Sequence, residues 1–179
     1  MKHQRSRGSR GWPVQRDLPD DELDEEIWER LTAAIAAGSR GEPDEMARYW
    51  SEHEQRVSDD QRGLVGIYVW YILQYLVIDT LGHVPTVSDL RELASDIYPK
   101  FAPLIVRDED YLVRVLMSIF NLVSPEHQVK GGEIVISGSA VISSLLEGSS
   151  GELTSIRPHL SQWLKRNRAN LGELGITHD

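Results

Sequence analysis

The sequence predicts an all-α protein, a compact bundle of six or seven helices around one central apolar helix at about residues 58–81. Three observations predict it. Leu64 to Ile78 (LVGIYVWYILQYLVI) runs fifteen residues without a formal charge, and Gln74 is its only strongly polar side chain. The chain on either side is polar and places apolar residues at helical spacing. The segments so marked open on capping residues or close on glycine or proline.

The central run has two competitors, a membrane span and a strand. A spanning helix needs roughly 20 apolar residues, and this run stops at Asp79, so no membrane span is expected. Strands usually hold about 5 to 6 residues, so length favours a helix. On it Leu64, Ile67, Tyr68, Tyr71, Tyr75 and Ile78 form one face, and Val65, Val69, Ile72 and Leu76 another. A helix apolar on nearly all sides belongs inside a ring of other elements.

The first helix is expected from near Pro19 and Asp20 to about Ala37, with Leu23, Ile27, Leu31 and Ile35 repeating along it and Gly38 as its stop. Pro43 suits the first position of a second helix, which carries Met46, Tyr49, Trp50 and His53 and ends near Arg56. Ser58 with Gln61 forms a capping-box pattern that leads into the central helix, and the chain leaves that helix near Gly82. Thr86 with Asp89 opens a fourth helix with Leu90, Leu93, Ala94 and Ile97 as its stripe. Pro99 and Pro103 disfavour helical geometry before them, so a break is expected at Tyr98. Asp108 caps a fifth helix with Leu112, Val115, Leu116 and Ile119 as its core face and Pro125 as its close. Residues 132–147 fit either a strand or a helix, but one isolated strand would leave its backbone unpaired, so helix is expected. A last helix covers about Glu152 to Asn170, with Pro158 bending it or marking its start.

The chain of 179 residues has no cysteine, which excludes disulfides, thiolate metal sites and cysteine catalysis and fits a cytoplasmic location. Residues 1–17 are expected to be a disordered basic tail, and residues 18–179 one helical domain. Residues 1–16 hold five basic groups and no acid, whereas residues 17–60 hold fifteen acids against four arginines. Within that acidic segment Glu22, Glu25, Glu26 and Glu29 share one helix face. Di-iron bundles need Glu-x-x-His pairs, and none of the six histidines has Glu three residues before it. No metal site and no cofactor are therefore expected, and the four carboxylates are a solvated face and a candidate surface for a basic protein partner.

Tyr49, Trp50, His53 and Tyr71 form a candidate aromatic pocket. His53 could serve as a general base there only with an orienting partner, and the sequence supplies none. Lys165, Arg166 and Arg168 are candidate phosphate contacts, although positive charge at a helix end is already favoured by the dipole. Thr86 to Tyr111 begins like a helix-turn-helix, but Pro99 and Pro103 occupy the place of its tight turn, so DNA binding is not favoured. No catalytic motif stands in the chain. The expected function is a non-enzymatic cytoplasmic interaction or regulatory protein using the acidic first helix. The alternative is a transcription-associated regulator that holds a small apolar ligand in the aromatic pocket.

Overall fold

The computed structural model describes residues 23–56, 58–105, 107–129, 131–147 and 152–173. Among them are seven α-helices and no strand: α1 Glu25–Ser39, α2 Pro43–Arg56, α3 Asp59–Leu81, α4 Val87–Phe101, α5 Glu109–Ile119, α6 Gly131–Leu145 and α7 Glu152–Glu173. One turn of 3-10 helix, Pro125–His127, lies between α5 and α6. The basic tail expected at 1–17 lies outside the described residues, as does the expected start of the first helix at Pro19 and Asp20.

α1 begins at a cap on Asp24, whose carboxylate accepts from the Ile27 N–H at 3.1 Å. The backbone N–H of Asp24 donates to the Tyr68 hydroxyl of α3 at 3.0 Å, so the cap is fastened to the central helix. α3 opens on the Ser58 and Gln61 capping box and closes on Gly82 at φ 75°. That left-handed geometry suits glycine because no Cβ meets the preceding turn.

The interior is built on α3. Tyr68, Val69, Ile72, Leu73 and Val77 are fully enclosed, and α6 packs along α3 more extensively than any other helix does. The helix is longer than the uncharged run within it. By length and composition alone Gln61–Leu81 could cross a membrane, yet half of its most apolar window is buried inside the protein. α1 lies against α2 and α6, and α4 pairs with α5.

Small side chains allow α6 to come this close. A Cβ at Gly138 would sit 2.5 Å from Val69 Cγ1, and one at Gly38 of α1 would meet Ser143 Cβ at 2.7 Å and Met46 Sδ at 2.8 Å. The Ser143 hydroxyl donates to the Ile35 carbonyl at 3.1 Å, and the Ser39 hydroxyl donates to the Ser143 carbonyl at 3.1 Å. Helix is thus the state of residues 131–145, in accord with the expectation for 132–147, and its Ser143 bonds to a neighbouring helix as well as filling space.

Two boundaries differ from the sequence expectation. α4 does not break at Tyr98 but runs through Pro99 to Phe101. The carbonyl that Pro99 leaves without a donor is that of Ser95, an exposed residue, so water can satisfy it. α5 stops at Ile119, not at Pro125. Asn121 takes φ 54° and the Leu122 N–H reaches back to the Met117 carbonyl at 2.8 Å, a left-handed stop that asparagine tolerates. α7 starts at Glu152, where it is expected, and carries Pro158 inside it, the freed carbonyl being that of exposed Thr154.

The Thr86 and Asp89 capping box is formed in full. Thr86→Ala is expected to cost about 0.5–2 kcal/mol, read from urea midpoints, whereas Ser88→Ala, an exposed position in the same turn, should leave the midpoint unchanged. Equal midpoints for the two variants would mean that the cap contributes nothing.

Candidate functional site

α2 is amphipathic, and Met46, Trp50 and His53, spaced four and three residues apart, are the side chains it buries. Next in the chain, α3 begins with two glycines one turn apart, Gly63 and Gly66, where no side chain stands. The first turns of α6 bring Val135 and Ile136 alongside. Between the three helices lies a cavity of about 240 Å³, walled by Trp50, His53 and Glu54 of α2, Arg62, Gly63, Val65 and Gly66 of α3, and Val135 and Ile136 of α6.

Two of its walls carry polar atoms with no outlet. Trp50 is 4% and His53 3% exposed, and their rings meet edge to face at 5.7 Å between centroids. Among the described residues neither the Trp50 Nε1 nor either nitrogen of His53 has a hydrogen-bond partner. Leaving a buried donor or acceptor unsatisfied costs about 1–3 kcal/mol each, so such groups in a folded protein need an explanation, an unmet ligand among them.

Burial is the main cause that holds the His53 imidazole below its ordinary pKa of 6.5; the positive charge of Arg30, and more weakly of Arg62, adds to it, while Glu26 and Glu54 oppose it. The folded protein therefore keeps His53 neutral where the unfolded chain would protonate it. By proton linkage, this contribution to stability is present above about pH 6.5 and is lost as pH falls through the lowered folded value. The urea midpoint of the protein is expected to drop across that window more than that of His53→Gln. Parallel profiles would remove His53 as the cause.

A catalytic imidazole is oriented by a second group bonded to its far nitrogen, and among the described residues His53 has none. Among the described residues no cluster of three or more His, Asp or Glu could hold a metal ion.

The residues singled out in the sequence are dispersed. Trp50 and His53 come together at the cavity. Tyr49 is half-buried on α2 under the Arg48 guanidinium, 5.1 Å from its ring centroid. Tyr71 is buried against α7, its ring 5.5 Å from that of Trp163. Glu22 lies outside the described residues. Glu25 pairs with Arg157 of α7 and Glu26 with Arg30 one turn on, while Glu29 is exposed. Lys165 and Arg166 are exposed on α7, and the side chain of Arg168 is outside the described residues. The walls that the sequence analysis missed are Glu54, Arg62, Gly63, Val65, Gly66, Val135 and Ile136. Their one local signal was the glycine pair at the head of an otherwise bulky helix.

No known protein family, no curated protein and no solved structure matches this chain.

Proposed function

We propose that the protein is a non-enzymatic small-molecule-binding module, a regulatory sensor whose ligand occupies the cavity between α2, α3 and α6. The observation that carries this is a largely apolar space walled in part by Trp50 and His53, two buried residues whose three ring nitrogens have no hydrogen-bond partner among the described residues. A ligand with an apolar ring or short chain and one polar atom would relieve both deficits, excluding water from Val65, Val135 and Ile136 and meeting Trp50 or His53. Size agrees: a dry apolar cavity of about 150 Å³ admits benzene, so about 240 Å³ admits a substituted ring.

The acidic surface of α1 has less behind it as the working face, since Glu25 and Glu26 each already face an arginine of the same chain. Charge reversal at Glu29 that weakened binding to a basic partner would restore it.

The test uses 4-methylphenol, whose hydroxyl both donates and accepts. Titration is expected to shift the Trp50 indole and His53 imidazole NMR resonances saturably in the native protein, and not in Val135→Phe, which fills the space. Unmoved resonances at saturating probe, or equal shifts in the filled variant, would overturn the proposal.

A further inference from the structure

The cavity and the titratable ring beside it are coupled by their geometry. His53 is buried, its ring stands edge to face against Trp50, and among the described residues neither of its nitrogens has a hydrogen-bond partner. A neutral imidazole tolerates such a place, whereas a charged one needs water or a carboxylate close by. Room for that water lies next to the ring. His53 is itself a wall of the space between α2, α3 and α6, and about 240 Å³ accommodates several water molecules at about 30 Å³ each.

An uncharged ligand in the same space takes that room away. The opposite wall gives the ring nothing in exchange, because α6 presents Val135 and Ile136 to the space. Of the charged groups that act on His53, Arg30 of α1 and Arg62 of α3 oppose its protonation, Glu26 of α1 and Glu54 of α2 favour it, and burial is the largest single influence. Glu26 is already paired with Arg30. A filled cavity makes the burial more complete.

We infer that His53 is a pH gate on the cavity: an uncharged ligand is held while the imidazole is neutral and is released when the imidazole takes a proton. This rests on the proposal that the cavity is a ligand site, and it adds what controls occupancy and that the ligand carries no charge. The coupling is reciprocal. Acid weakens the ligand, and the ligand makes the ring harder to protonate. The free protein holds the His53 pKa below its ordinary 6.5, and the complex holds it lower still. Between the two values the free protein carries one proton more than the complex. Affinity therefore falls with falling pH inside that window, by about tenfold per pH unit at most, and is level above it.

The test follows 4-methylphenol by calorimetry on the full chain from about pH 7.5 to about pH 5, with far-UV circular dichroism marking the range in which the fold persists. The hydroxyl of the probe, like that of tyrosine, ionises only near about pH 10 and brings no titration of its own. Affinity is expected to be level near neutrality and to fall by about tenfold toward the acid end. By NMR the His53 imidazole is expected to titrate at lower pH with saturating probe than without it. In Val135→Phe, where a side chain fills the space, it is expected to titrate at lower pH with no probe present. Level affinity, or a His53 titration moved neither by the probe nor by Val135→Phe, would overturn the gate and leave the cavity standing. Affinity that rose in acid would make the charged ring the binding form and would overturn the gate as well. If the probe does not bind at neutral pH, the cavity proposal and the gate fall together.

Discussion

Gly138→Ala is expected to destabilise the protein by about 1–3 kcal/mol, the usual range for overpacking a tight interface. On an exposed helix the same change would stabilise by about 1 kcal/mol, so the sign is diagnostic. The new methyl carbon would lie 2.5 Å from Val69 Cγ1, and Val69 is itself fully enclosed between helices. Either the branched side chain leaves its rotamer or α6 lifts off α3. Val69→Ala, made in the Gly138→Ala background, should therefore restore part of the loss, and the double-mutant cycle should give a coupling of favourable sign. Strictly additive urea midpoints would show that the two helices are not in the contact described.

His53→Leu is expected to stabilise the protein by about 1–3 kcal/mol, the cost ascribed to one buried polar group left without a partner, while abolishing the shifts induced by 4-methylphenol. An apolar side chain of similar volume keeps the packing beside Trp50 and removes two unmet nitrogens. Loss of stability on the scale of a core truncation would mean that the imidazole is satisfied in solution, and the cavity would lose its main claim to a ligand. Sites of binding often hold such locally unfavourable groups at the expense of stability.

What could be foreseen from the chain was whatever is decided within one or two helical turns. Ser58 with Gln61 and Thr86 with Asp89 marked their helix starts because both halves of each capping box lie three residues apart. The interior placement of Leu64 to Ile78 followed from the absence of charge. Pro99 and Asn121 went the other way, since the outcome depended on whether a freed carbonyl met water and on a backbone torsion that asparagine permits but does not require. The cavity was hardest to foresee, because it consists of what Gly63 and Gly66 lack and is closed by Val135 and Ile136, about seventy residues further on. Tyr71 has the composition of a pocket residue, but its direction around α3 turns it to Trp163 instead.

The ion pair between Glu25 and Arg157 joins residues 132 positions apart, and Arg157 also sits 5.5 Å from the centre of the Trp28 ring. Contacts of such long separation carry a large loop-closure cost and form after the local ones. The last helix should accordingly dock onto an already assembled body during folding. On gentle warming it should also be the first to peel away, exposing the indole of Trp28 before the central rod is disturbed.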